Sequence, residues 1–87
     1  MLQNKALFRK VKVMSNELRF SILELIQKET LSINELSSKL KLSYTKCADY
    51  VTLLEQEGLL QKLKDGREVK LISKVAFIGN TIKFEPS

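Results

Sequence analysis

Residues 32–58 read SINELSSKLKLSYTKCADYVTLLEQEG, and this stretch decides the fold. Ser32 and Glu35 stand in the S-x-x-E spacing of a capping box, in which each side chain satisfies a free backbone amide of the other's turn. Ile33, Leu36 and Leu40 follow at steps of three and four, so they share one face of a short helix. The helix ends before Lys41-Leu42-Ser43, where Ser43 is placed to cap a second helix. Cys47, Ala48, Val51 and Leu54 form the inner face of that second helix, which runs to Glu57. Gly58 sits where a left-handed residue stops a helix. Two helices joined by a tight turn therefore occupy residues 33–57.

Upstream, Leu7, Val11, Met14 and Leu18 recur at helical steps, giving an N-terminal helix over residues 1–14. Ser15 and Asn16 can cap a further helix from Glu17 to Glu29, with Leu18, Ile22, Leu25 and Ile26 on one face and Phe20 and Leu23 widening it. Downstream of Gly58 the period falls to two. Residues 59–64 and 67–72 approximate alternation on either side of Asp65-Gly66, a pair that signals a hairpin turn. Residues 73–87 read two ways. Ser73 can cap a short helix through about Lys83, or Gly79-Asn80 can turn a hairpin between residues 75–78 and 81–84. The helix is the expectation taken forward.

Composition narrows the function. The 87 residues make one domain, with room for a single core and none for a cleft between lobes. No apolar run approaches the roughly 20 residues of a bilayer span, and polar Gln3, Asn4 and Lys5 open the chain, which points to the cytoplasm. With one cysteine, Cys47, and no histidine, a Cys/His metal site lacks ligands, so no metal and no cofactor are expected. The missing histidine, the absence of a glycine-rich phosphate loop and the scattered acids also argue against an enzyme. The net charge of +5 is uneven. Residues 1–14 carry Lys5, Arg9, Lys10 and Lys12 without an acid, residues 15–38 are net acidic, and residues 59–74 are net basic. Basic segments flanking an acidic one suit a polyanion partner that meets particular faces.

The order helix, helix, short helix, turn, longer helix, hairpin resembles an ArsR-type winged helix-turn-helix, a mainly α (α+β) fold with a small β hairpin. The resemblance covers about Asn16 to Ile72. Arg19-Phe20-Ser21-Ile22-Leu23 is similar to the family's R-x-x-I-L core helix. Ser32 to Leu36 with Leu40 to Ser43 is similar to its S-x-x-E-L-A…L-x-L-S segment, Ser37 replacing the alanine. Ser43 to Leu60 aligns without a gap to its recognition helix and the entry to the wing. The domain then divides into an N-terminal helix (1–14), a helical core (16–58), the wing (59–72) and a C-terminal segment (73–87).

The resemblance implies a sequence-specific transcriptional regulator of double-stranded DNA, with a recognition helix over 44–57 in the major groove and the wing on an adjacent groove or backbone. Ser43, Tyr44, Thr45 and Lys46 start that helix, and Tyr50, at the family's histidine position, lies one turn later. Lys39 and Lys41 flank the turn within reach of phosphates, and Lys62, Lys64, Arg67 and Lys70 make the wing basic. Such proteins pair through their first and last helices, so Leu7, Val11 and Met14 are the expected homodimer stripe, with packing inside one chain as the other reading. Two features depart from the family. Asp49 stands where a polar or basic residue is common, and the metal-sensing cysteines and histidines are missing, so metal sensing does not transfer. A protein-interaction module and a non-specific DNA-coating protein are the alternatives.

Overall fold

A computed structural model describes residues 3–85, leaving the outermost two residues of the expected 1–87 domain at each end outside the described residues. Four helices come first: α1 (Lys5–Met14), α2 (Glu17–Lys28), α3 (Ile33–Leu40) and α4 (Tyr44–Gln56). The strands are β1 (Leu31–Ser32), β2 (Leu60–Asp65), β3 (Glu68–Ser73), β4 (Val75–Ile78) and β5 (Thr81–Phe84).

The helix starts follow side-chain caps. Asn16 accepts from the Leu18 and Arg19 amides, and Ser43 accepts from the Lys46 amide. The capping box of α3 is complete, with the Ser32 hydroxyl accepting from the Glu35 amide and the Glu35 carboxylate from the Ser32 amide. Helix α4 stops as expected: Gly58 takes φ +72°, and the Leu59 amide donates back to the Leu54 carbonyl. Helix α3 ends on the same geometry without a glycine, since Lys41 itself adopts φ 56°.

The core lies where the helices meet the first sheet. Ile22 and Leu23 of α2, Leu36 of α3, Cys47, Val51 and Leu54 of α4, then Leu59 and Leu71, are all closed to solvent. Ser37, at the α3–α4 approach, is the buried polar residue among those described, and its hydroxyl donates to the Asn34 carbonyl at 2.8 Å, so the substitution for alanine leaves no orphan group.

Three sequence expectations change. Residues 31–32, read as a break between helices, form β1, which pairs antiparallel with β3 through Leu31 opposite Leu71. A two-residue strand has too short a pattern to announce itself. The wing turn sits one residue later than expected, on Gly66-Arg67: Asp65 pairs with Glu68, and Gly66 at φ +65° takes the first turn position, where glycine carries no Cβ penalty. The C-terminal helix is replaced by the β4–β5 hairpin, with Ile78 opposite Thr81 around Gly79-Asn80. Here Val75, Phe77, Ile82 and Phe84 alternate onto one face, burying Val75 and packing Phe77 against Phe20 with ring centroids 4.9 Å apart and the rings tilted by 49°. The Ser73 hydroxyl, which the helix reading used as a cap, instead bonds both backbone groups of Val75.

Among the described residues no helix is long and apolar enough to cross a membrane.

Candidate nucleic-acid interface

Helix α4 has an inner face of fully buried side chains, and Tyr44, Thr45 and Lys46 of its first turn are all exposed. With Cys47, Val51 and Leu54 turned inward, Thr45 points away and Lys46 lies on the flank, whereas Tyr44, three residues before Cys47 and seven before Val51, continues the inner stripe beyond the buried residues. Tyr44 is 53% exposed despite its size. Ser43 is occupied as the cap, holding the Lys46 amide at 3.1 Å, so its part is to fix where the helix begins.

Tyr50 is half-buried, and its ring faces two cations. The Arg19 guanidinium lies 5.4 Å from the ring centroid and the Lys46 ammonium 5.8 Å. Both distances fall within cation–π range. Arg19 is itself held, its Nε donating to the Val13 carbonyl at 2.7 Å, so α1, α2 and α4 meet at this ring. Arg19 was read from the sequence as part of a core helix only. The signal for its second role is its spacing: Arg19 stands three, four and seven residues before the buried Ile22, Leu23 and Ile26, so a guanidinium falls in line with the inward face of α2, where it is half-buried and needs a partner.

The wing folds against the start of α3 and α4. Tyr44, Lys62, Arg67, Ser32 and Asn34 line one groove of about 370 Å³, which joins the recognition helix to the hairpin. Thr45 and Lys46, turned about 100° and 200° further round the helix than Tyr44, lie outside it.

The basic residues divide into two sets. Lys39 pairs with Glu29 at 3.5 Å, Lys62 with Glu55 at 3.5 Å, and Lys70 with Glu35 at 3.4 Å and Glu68 at 3.2 Å. Hydrogen bonding to Glu68 and then Glu35 pushes the Lys70 ammonium pKa up, while the Ser32 backbone and side-chain bonds and the Lys70 ammonium hold the Glu35 carboxyl below its usual value. These three lysines balance acids of the fold. Lys41, Lys46, Lys64 and Arg67 are exposed and form no ion pair among the described residues, leaving their charge for an outside anion. Asp49 is exposed on α4, and Asp65 and Glu68 oppose each other beside the wing turn, so the face carries acid as well as base.

Of the expected pairing stripe, Leu7 and Val11 are 40% and 48% exposed, whereas Met14 is 4% exposed and belongs to the core of its own chain. Cys47 is fully buried, its thiol 3.8 Å from the Ile33 carbonyl, and burial pushes its pKa up. Among the described residues no cluster of three metal-ligating side chains occurs.

Against known proteins, residues 15–61 match the family model described as winged helix-turn-helix DNA-binding. The chain is 36% identical over 59 residues to the transcriptional activator HlyU of Vibrio cholerae, covering 68% of this chain and 55% of that protein. It thus spans about half the length of that curated relative. A solved structure of HlyU from Vibrio cholerae is similar with a TM-score of 0.76 at 31% identity, over 84% of this chain and 80% of that one. An ArsR-like transcriptional regulator from Rhodococcus sp. RHA1 is similar with a TM-score of 0.73 at 26% identity, over 79% and 65% of the two chains. The matched segment contains the caps, the turn and the outer face of α4 described above, and the chain belongs to the winged helix-turn-helix DNA-binding family.

Proposed function

We propose that this chain is a sequence-specific regulator of transcription that acts by binding double-stranded DNA in the cytoplasm, and not by catalysis. The observation that carries the reading is the outer face of α4. Tyr44, Thr45 and Lys46 are exposed on the first turn of a helix whose inner face is locked in the core, next to a wing in which Lys64 of β2 and Arg67 of the turn have no carboxylate partner among those described. A helix of this kind fits the major groove, and its first turn supplies the groups that meet base edges. Lys41, Lys64 and Arg67 are assigned to phosphates, and Tyr44, Thr45 and Lys46 to the groove. Tyr50, held by Arg19, braces Lys46. Lys39, Lys62 and Lys70 contribute through the field more than by direct contact, because their ammonium groups are engaged.

On this reading the chain works as a homodimer, since one recognition helix covers one half-site and the exposed Leu7–Val11 stripe of α1 is an apolar surface left for a second copy. The similarity to HlyU, a transcriptional activator by its description, supports regulation as the outcome. Selection from a random duplex pool tests the proposal. Enrichment of an inverted repeat with half-site centres about 10 base pairs apart is expected. Recovery of duplexes without a shared sequence would leave non-specific coating, and no recovery would leave an interaction module.

A further inference from the structure

The C-terminal hairpin has two edges, and the chain closes only one. Along an antiparallel pair, residues alternate between those bonded to the opposite strand and those whose N–H and C=O point away. Glu85 donates to the Lys74 carbonyl, so the outward residues are Val75 and Phe77 on β4 and Ile82 and Phe84 on β5. Both outward positions of β4 are taken. The Gln27 amide donates to the Phe77 carbonyl at 3.1 Å and accepts from its N–H at 2.7 Å. The Ser73 hydroxyl donates to the Val75 carbonyl at 2.6 Å and accepts from its N–H at 3.0 Å. No such bond reaches the outward groups of Ile82 or Phe84 among the described residues. An open strand edge is a template for another strand, and proteins ordinarily blunt it.

We propose that β5 pairs antiparallel with β5 of a second copy of this chain, centred on Phe84, to make a continuous four-stranded sheet across the dimer. The proposal rests on the homodimer reading above and names the surface that forms it. Pairing a strand with its own copy is self-complementary, as a two-fold axis requires. The charges choose the register. Lys83 and Glu85 flank Phe84, so a pair centred there sets each Lys83 opposite the partner's Glu85 and lets the two Phe84 residues exchange both backbone bonds, with position 82 opposite Pro86, which has no N–H to donate; a pair centred on Lys83 would oppose two ammonium groups. The edge is also continuous with the α1 stripe. Leu7 and Val11 form with Ile82 and Phe84 the walls of an apolar groove of about 460 Å³. Joining the edges brings the two grooves together and covers Leu7, Val11 and Ile82, the last 44% exposed. A four-residue strand falls short of the roughly 800 Å² per partner of a stable interface, so the Leu7–Val11 stripe must be buried with it.

Sedimentation equilibrium of the full chain tests this with exposed residues that leave the core untouched. The native chain is expected to dimerise, Glu85→Lys to weaken the dimer about tenfold by turning two attractive cross-strand pairs repulsive, and Lys83→Glu/Glu85→Lys to restore it. The rescue separates this effect from loss of the Lys74–Glu85 pair within one chain, which the double variant does not repair. A Lys83→Cys/Glu85→Cys chain should also oxidise to a covalent dimer. If Glu85→Lys leaves the dimer unchanged and no covalent dimer forms, while Leu7→Glu dissociates it, the edge pairing is overturned and the homodimer reading survives. If the native chain is monomeric at sub-millimolar concentration, both fall.

Discussion

Lys41 occupies a backbone position that glycine would fill at less cost. Its φ of 56° lets its own amide and that of Leu42 return to the last carbonyls of α3, which sets the angle between α3 and α4. An L-residue in the left-handed region costs roughly 1–2 kcal/mol, against roughly 0.5–1 kcal/mol for the extra unfolded freedom of glycine. Lys41→Gly is therefore expected to stabilise the fold by up to about 1 kcal/mol in a denaturant titration while weakening duplex binding. A gain in both properties would remove Lys41 from the phosphate contacts. At the other end of α3, Glu35 carries a pH dependence. Its folded pKa lies below the ordinary 4.5, so its stabilising effect is present above that value and is lost as pH falls through the folded one. Melting followed from pH 6 downward should show this loss, and Glu35→Gln, which keeps a capping acceptor, should flatten it. Cys47, buried with a raised pKa, should react with thiol reagents at neutral pH only as fast as the chain opens.

Among the elements, α2, α3 and α4 were legible because they carry their own punctuation, whereas α1, expected over residues 1–14, starts only at Lys5, where the Asn4 side chain accepts from the Leu7 amide. Asn16, Ser32, Ser43 and Gly58 mark starts and stops, and the apolar steps between them name the buried faces. The outer face of α4 followed from the inner one. The C-terminal segment was legible only as two alternatives, a helix or a hairpin over 75–78 and 81–84, because what decides between them lies 50 residues away. Gln27 on α2 clamps both backbone groups of Phe77, and Phe20 receives its ring. The local pattern of residues 73–84 offers the hairpin and its turn but does not choose it over a helix. The pairing of Lys39, Lys62 and Lys70 with acids was hidden for the same reason, since Glu29, Glu55 and Glu35 meet them only in the fold. Gln27→Ala removes two hydrogen bonds and should cost about 1–2 kcal/mol in unfolding free energy. A cost near zero would mean that water replaces the clamp without penalty.

The whole molecule extends 43 × 25 × 22 Å, with the interface at the start of α4 and the wing, and the apolar surface on α1 and β5. These surfaces draw on different residues, so binding and pairing can be altered separately. On the face of α4 and the wing, ion pairs engage Lys62 and Lys70 and leave Lys46, Lys64 and Arg67 without a carboxylate among the described residues, as they leave Lys41 beside the turn. The measurement that bears most directly on the central claim is duplex affinity across a salt series for the native chain, Thr45→Ala/Lys46→Ala and Lys64→Ala/Arg67→Ala. Affinity should fall steeply with salt and both variants should bind more weakly, the wing pair losing about 0.9 of logarithmic slope for each phosphate contact removed. Salt-insensitive binding that neither pair of substitutions changes would contradict the assignment of α4 and the wing to DNA.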